Sequence, residues 1–166
     1  MFGCVDGNVK LGIIKNNKTA LLYSTDSQVV SMCSSPDGRS FLSGHLDGSV
    51  HLFSFDDPRF GGEPFHEKIL THSCIPYALG WGDEILVAGS DCKIQFYDVD
   101  GNERKRYDFS RDDTQKEFTK VAFNPSGKTA VVGSFDRLRV FTRNSERHTW
   151  EDNGSIDIPY YYTITD

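Results

Sequence analysis

The sequence predicts an all-β protein built from a repeat of short strands, and two observations lead to this fold class. The motif Asp-Gly-x-Val-x-Leu occurs twice, beginning at Asp6 and Asp47, and weaker copies begin at Asp91 and Asp136. The first apolar residues of the four copies stand at positions 9, 50, 94 and 138, so the steps are 41, 44 and 44 residues. A repeat of about 40–45 residues made of short strands is typical of β-propeller blades. We therefore expect a partial β-propeller.

The length of the chain sets how many blades it supplies. A propeller has about 4–8 blades of four strands each, and 166 residues cover only part of such a ring. We expect about three complete four-stranded blades plus parts of two more. The predicted boundaries are a blade remnant at residues 1–27, blades at about 28–71, 72–109 and 117–157, and the start of a next blade at 160–166. Both ends then fall within a blade, which indicates a stretch of a larger ring.

The strands of the first complete blade follow from alternating apolar and polar residues. Residues 29–33 alternate, Ser35-Pro36-Asp37-Gly38 forms a turn, and a second strand occupies 40–43. The turn at 44–48 contains Asp-Gly, a pair that favours tight hairpins because both residues tolerate positive φ. A third strand at 49–55 and a short outer strand at 68–71 complete the blade.

The next two blades repeat this order of strands and turns. In the first of them we predict strands at 76–81, 85–88, 93–97 and 104–109. In the second we predict strands at 118–123, 129–132, 138–142 and 148–151, with a turn at Asn124-Pro125-Ser126-Gly127. The two proline turns are 125 − 36 = 89 residues apart, which is two repeats. The pattern predicts no helix.

Composition excludes several classes of function. The formal charge is −6 and the isoelectric point is about 5.3, whereas nucleic-acid binding requires clustered Lys and Arg. No apolar run approaches the ~20 residues of a membrane-spanning helix, and no signal-peptide pattern is present. The cysteines at positions 4, 33, 74 and 92 form no Cys-x-x-Cys pair, so we expect buried free thiols in a cytosolic protein.

The aspartate of each repeat is predicted to be structural. An aspartate in a tight turn accepts backbone N–H groups and fixes the turn, and four copies at blade spacing favour this role over catalysis. The residues concerned are Asp6, Asp47, Asp91 and Asp136. In blades of this kind the aspartate also pairs with a histidine at the blade entrance, and His72 is placed to pair with Asp91.

The remaining polar residues show no pattern of an enzyme or a metal site. His45, His51, His66 and His148 are scattered along the sequence without the spacing of zinc ligands, and we expect them to be solvated or to lie on strand faces. No nucleophile motif and no glycine-rich phosphate loop is present. We therefore expect no catalytic residue, no cofactor and no bound metal.

One charged loop is a candidate partner contact. Residues 108–117 join two blades on the side of the turn that holds Arg137, and they include Arg111, Asp112 and Asp113. A mixed-charge patch with arginine and nearby aromatic residues is typical of interfaces. Two alternatives remain: these charges only brace the loop, or the partner binds the opposite face around Arg59 and Phe60.

Several longer segments resemble a known family. They include Ile75-Pro76-Tyr77-Ala78-Leu79-Gly80-Trp81, Asp108-Phe109-Ser110-Arg111-Asp112, Ser134-Phe135-Asp136-Arg137-Leu138-Arg139-Val140-Phe141 and Tyr162-Thr163-Ile164-Thr165, in this order. Together they resemble the N-terminal WD-repeat region of the large peripheral subunits of intraflagellar transport complex B. The resemblance covers essentially the whole chain and implies a WD40-type propeller.

The resemblance also implies a function. It implies a non-catalytic scaffold that binds other complex B subunits in ciliary transport and cilium assembly, located in the cytoplasm and the cilium at the basal body and axoneme. The alternative is a WD-repeat adaptor or coat-type trafficking subunit unrelated to cilia. An open arc of blades exposes unpaired strand edges, so we also expect poorly cooperative unfolding and self-association through those edges.

Overall fold

The computed structural model describes residues 1–57 and 61–158, and within them it confirms the all-β fold class. Fifteen strands, β1 to β15, form four antiparallel sheets, and the only helical element in this part is a single 3₁₀ turn at Ile14–Asn16. The strands are Phe2–Gly3, Asn8–Ile13, Lys18–Ser24, Val29–Ser34, Ser40–His45, Ser49–Asp57, Glu63–Thr71, Ala78–Trp81, Ile85–Ala88, Lys93–Tyr97, Glu103–Asp108, Lys120–Phe123, Thr129–Gly133, Arg137–Asn144 and Thr149–Asp157. The predicted strand at 160–166 lies outside the described residues, as do Arg59 and Phe60. The described part contains no helix long and apolar enough to span a membrane.

The chain divides into two units, at Met1–Pro76 and Tyr77–Asp166. The first unit contains the first sheet (β1–β3) and the second sheet (β4–β7), and the second unit contains the third sheet (β8–β11) and the fourth sheet (β12–β15). In every sheet the order of strands in space is their order in the chain. This meander of neighbouring antiparallel strands is the arrangement of WD40 blades.

The outer strands are longer than the sequence indicates. β7 and β15 each have nine residues, although only 68–71 and 148–151 carried a recognisable strand pattern. Most residues of β15 are exposed, so no alternation of apolar and polar residues marks it. Each strand pairs with its neighbour through register shifts, and these extend the ladder beyond the regular segment.

In the first unit, cross-strand pairs of one sheet pack on cross-strand pairs of the other. Val9 lies opposite Tyr23 in the first sheet, and Phe41 lies opposite Phe53 in the second. The ring of Tyr23 is 6.1 Å from that of Phe41 and 5.8 Å from that of Phe53. All four side chains are buried in one core cluster, so this contact closes the core of the unit.

In the second unit, a stacked pair of rings lies at the centre of the core. Phe96 and Trp150 stack with their ring centroids 4.4 Å apart, and Phe141 meets Phe96 edge to face at 5.9 Å. The indole Nε1–H of Trp150 donates to Glu84 Oε2 over 2.9 Å. The indole therefore fills the core and also satisfies a buried carboxylate.

A glycine allows two turns of the second unit to meet. Asp83 N–H donates to the carbonyl of Gly127 over 3.0 Å, which joins the β8–β9 turn to the β12–β13 turn. A Cβ at Gly82 would lie 2.7 Å from that carbonyl oxygen, closer than side-chain carbons approach. Only glycine permits this contact between the third and fourth sheets.

The four cysteines are free thiols, as predicted, but each is only partly buried. Burial raises the pKa of the Cys33 thiol to about 12. Cys33 therefore stays a neutral thiol at physiological pH.

We predict that Trp150→Ala lowers the free energy of unfolding by about 3–5 kcal/mol, because it removes a fully buried ring and leaves a cavity. It also leaves the Glu84 carboxylate without its indole donor. Ile156→Ala on the same strand is the control, since Ile156 is 60% exposed and should change stability by less than about 0.5 kcal/mol. Urea titration followed by far-UV circular dichroism compares the two, and equal midpoints would contradict this account of the core.

Candidate interaction surface

The loop between β11 and β12, residues 109–119, is held in place by its own aspartate and by neighbouring turns. Asp112 Oδ1 accepts the backbone N–H of Thr114 over 3.0 Å and its hydroxyl over 2.6 Å. These two hydrogen bonds, followed by the charge of Arg137, lower the pKa of Asp112. At the ends of the loop, Phe109 N–H donates to the carbonyl of Cys92 and Phe118 N–H to that of Gly89. The loop therefore has a defined shape.

Two of the four candidate contact residues form an internal brace. Arg137 donates from Nη1 to Asp112 Oδ2 over 3.1 Å and from Nε to Asp157 Oδ1 over 2.8 Å. Its Nη2 donates to the hydroxyl of Thr114 over 3.2 Å. One guanidinium thus joins the loop, the start of β14 and the end of β15. Asp112 and Arg137 tie parts of the same unit together.

The other two candidates point outward. Arg111 and Asp113 flank Asp112 on either side, and both are exposed. Their charges are of opposite sign and are separated by one residue, so they present a short dipolar feature at the rim of the loop. Among the four candidates, these are the two available to a partner.

Arg139, which was not among the predicted contact residues, is the most buried charge at this site. Arg139 is 8% exposed, donates from Nε to Gln115 Oε1 over 2.9 Å and lies 3.6 Å from the centroid of the Phe109 ring. Burial lowers its pKa, against the opposing effects of Asp152 and Asp112. The position of Arg139 between apolar strand residues indicates that it is buried, and a buried arginine requires partners for its N–H groups.

The aspartates of the repeat turns make the hydrogen bonds expected of turn residues in three places. Asp6 Oδ1 accepts the N–H of Asn8 over 3.2 Å, Asp47 Oδ1 that of Ser49 over 3.0 Å, and Asp91 Oδ1 that of Lys93 over 3.2 Å. Asp136 differs, because its buried Oδ1 has no hydrogen-bond partner among residues 1–57 and 61–158. Its backbone carbonyl accepts from Ile158. The predicted pairing of His72 with Asp91 joins residues of the two units and stays a prediction.

His45, His51 and His66 lie on neighbouring strands of the second sheet, where their rings form a cluster that their spacing in the sequence does not reveal. The rings of His45 and His51 are 4.8 Å apart, and those of His51 and His66 are 5.1 Å apart. Tyr23 stacks on His66 with 3.9 Å between ring centroids. Residues 51 and 66 sit on paired strands at a diagonal offset, and strand pairing brings them together despite their separation in sequence.

Fixed acceptors determine where the protons of this histidine cluster lie. Ser49 Oγ donates to Asp47 Oδ1 over 2.7 Å, so Ser49 accepts from His51 Nε2–H over 3.2 Å. His51 Nδ1 then carries a lone pair and accepts from His66 Nε2–H over 3.0 Å. The hydrogen bonds therefore run in one direction from His66 to Asp47, and His51 is neutral.

A second chain of hydrogen bonds fixes the tautomer of His45. The carbonyl of Ser27 can only accept, so His45 Nδ1–H donates to it over 2.8 Å. His45 Nε2 consequently accepts from the hydroxyl of Ser43 over 2.7 Å, and Ser43 accepts from the hydroxyl of Tyr23 over 2.6 Å. Buried polar groups in this sheet thus satisfy one another.

Comparison with known proteins shows which proteins this chain is similar to. A model described as "WD domain, G-beta repeat" matches residues 17–54, which include β3 and most of β4–β6. The chain is 42% identical over 167 residues to intraflagellar transport protein 172 of Chlamydomonas reinhardtii, covering 99% of this chain and 10% of that protein. It is 46% identical to the homologue in Danio rerio and 35% identical to intraflagellar transport protein osm-1 of Caenorhabditis elegans, each match covering 99% of this chain and 9% of the relative. The chain thus spans about a tenth of the length of these relatives.

We predict that the stability of the chain falls as the pH is lowered through the range in which the histidines of this cluster take up protons. Burial, followed by the nearby His45 and His66, lowers the pKa of His51 to about 4, and burial also lowers that of His66. Asp47 opposes the shift of His51 and Lys68 adds to it. The unfolded chain binds these protons first, so the stabilisation is full above about pH 6.5 and is lost progressively as the pH falls toward 4. Urea midpoints measured across this range test the slope, which His51→Gln should flatten; an unchanged slope in that variant would contradict the assignment.

We further predict that Arg139→Ala lowers the free energy of unfolding by about 2 kcal/mol, because it leaves the buried Gln115 carbonyl without its donor. Arg111→Ala in the same region should change stability by less than about 0.5 kcal/mol, since the side chain is exposed. Chemical denaturation of both variants gives the comparison. Equal losses would mean that the contact of Arg139 with Gln115 does not stabilise this loop.

Proposed function

Because this chain is homologous over nearly its whole length to a stretch of intraflagellar transport protein 172, we propose that it is a protein-binding, non-catalytic segment of an intraflagellar transport subunit. The observation that carries the proposal is the identity of 42% and 46% across 99% of the chain. In this proposal the subunit acts in ciliary transport and cilium assembly and binds other subunits of complex B. It is located in the cytoplasm and in the cilium, at the basal body and axoneme.

The use of polar side chains in the described residues supports binding rather than catalysis. Several charged residues of the second unit are engaged in bracing, as in the pairs of Arg137 with Asp112 and of Arg143 with Glu84 over 3.1 Å. In the first unit, His45, His51 and His66 are engaged in hydrogen bonds that satisfy buried groups. Titratable groups that stabilise turns in this way make the surface of the turns rigid, and a rigid surface is suited to binding a partner.

The surface we propose for the partner is the outward side of the 109–119 loop. Arg111 and Asp113 are exposed there, while Asp112 and Arg137 hold the loop beneath them. A rigid loop loses little conformational entropy on binding. Charges at such a rim steer a partner and set its register more than they add affinity.

The test is co-purification of complex B subunits from ciliated cells that express the tagged natural gene product containing this chain. The double variant Arg111→Ala/Asp113→Ala should reduce recovery of those subunits several-fold without lowering the amount of folded protein. The matched control is Glu146→Ala/Arg147→Ala. It removes one acidic and one basic residue, both exposed, from the β14–β15 turn. This turn lies at the end of β14 opposite Arg137, which contacts the 109–119 loop.

The outcomes separate the surface from the function. Equal loss in both double variants would indicate a general defect and would contradict the choice of surface. Loss only in the control would place the contact at the opposite end of the strands. Absence of complex B subunits even with the unaltered protein would contradict the proposed function itself.

A further inference from the structure

Three turns of the first unit enclose an open cleft that the transport role does not explain. They are the β1–β2 turn, the β3–β4 connection and the β5–β6 turn. The cleft has a volume of about 520 Å³, within the range of about 300–1,000 Å³ typical of ligand sites. Its lining residues are Val5, Asp26, Ser27, Gln28, Leu46 and Asp47. We refer to it as the acidic cleft.

The three turns are joined to one another by hydrogen bonds, so the acidic cleft is formed in advance of any ligand. Thr25 N–H donates to the carbonyl of Gly7 over 3.1 Å, and Leu46 N–H donates to that of Gln28 over 2.9 Å. Asp47 N–H donates to the hydroxyl of Ser27 over 3.0 Å. The histidine cluster lies directly beneath, since His45 Nδ1–H holds the carbonyl of Ser27. A preformed site loses less entropy when it binds.

The walls of the acidic cleft combine exposed aliphatic side chains with negative charge. Val5 is 78% exposed and Leu46 is 48% exposed, although both are residues that folding would ordinarily bury. Asp26 and Asp47 lie among them, and within residues 1–57 and 61–158 no Lys or Arg is part of the lining. Burial opposes ionisation of Asp47, but hydrogen bonds from the Ser49 hydroxyl and N–H outweigh it, and the pKa of Asp47 is lowered. Asp47 therefore carries its charge at neutral pH.

This combination fits one kind of occupant. A cation complements the two carboxylates, and an apolar side chain beside that cation would cover Val5 and Leu46. Arginine suits the carboxylates better than lysine because its planar guanidinium binds them through paired hydrogen bonds. We propose that the acidic cleft binds a linear segment of a partner protein in which arginine or lysine stands next to an aliphatic or aromatic residue. This proposal is independent of the loop surface in the second unit and of the transport role.

The experiment uses the whole chain and a library of random nonapeptides displayed on phage. Selection is made on the unaltered chain after subtraction on the variant Asp26→Lys/Leu46→Ser. We expect enrichment of peptides that carry arginine or lysine beside an apolar residue. The most enriched peptide, labelled with fluorescein, should bind the unaltered chain at least about tenfold more tightly than the variant, and more weakly as salt rises from about 0.05 to about 0.5 M.

A matched control variant is available in the second unit. Val99→Ser/Asp100→Lys changes a neighbouring apolar and acidic pair in the β10–β11 turn, and Val99 is as exposed as Leu46, at 48%. Peptide binding should be unchanged in this control. Circular dichroism and urea midpoints of both double variants verify that each remains folded.

Other outcomes would overturn the proposal. These are no enrichment after subtraction, enrichment of acidic or uncharged peptides, or equal affinity for the two double variants. Calcium binding in calorimetry that the Asp26→Lys/Leu46→Ser variant loses would make the cleft a cation site instead. A dimer in sedimentation that is lost in the same variant would assign the cleft to a second copy of the chain.

Discussion

Face-to-face packing of thin antiparallel sheets is the constraint on which each unit depends. A sheet of three or four strands cannot bury an aromatic residue alone, so Tyr23 of the first sheet lies against Phe41 and Phe53 of the second. In the second unit, Phe96 of the third sheet stacks on Trp150 of the fourth at 4.4 Å. Because the core of each sheet is completed by side chains of a neighbouring sheet, contacts between repeats contribute much of the free energy of unfolding.

Close packing of the sheets forces the turns at the strand ends together, and this explains where the polar residues are used. Where turns pack together, their backbone carbonyls and N–H groups are shielded from water, and each of these groups then needs a hydrogen-bond partner. Gln115 Nε2–H donates to the carbonyl of Lys116 in the second unit, and His45 Nδ1–H donates to that of Ser27 in the first. Residues that look like candidates for chemistry when read along the sequence are thus required by the fold.

The sequence predicts the repeat well because each repeat marks itself locally. The Asp-Gly turns, the short apolar run at 85–88 and the alternating strand at 93–97 depend on neighbouring residues, and the structure has both strands at those bounds. The outer part of β15 was missed because its exposed residues need no apolar alternation. The histidine cluster was missed for another reason: His51 and His66 meet only through the register of β6 and β7, which local pattern does not specify. The internal role of Arg137 depends likewise on Asp157, twenty residues away in the chain.

Asp112 of the second unit and Asp47 of the first are held in different ways, and the difference affects the field that each carboxylate presents to a partner. In the second unit the guanidinium groups of Arg137 and Arg139 both lie near Asp112, and their positive charges offset the negative charge of its carboxylate. In the first unit Asp47 is held by Ser49 through hydrogen bonds that leave its charge in place. Hydrogen bonds from neutral donors orient a carboxylate without cancelling its field, whereas an ion pair largely cancels it. The ion-paired Asp112 therefore makes its loop rigid, whereas Asp47, held by neutral donors, can still attract a cation.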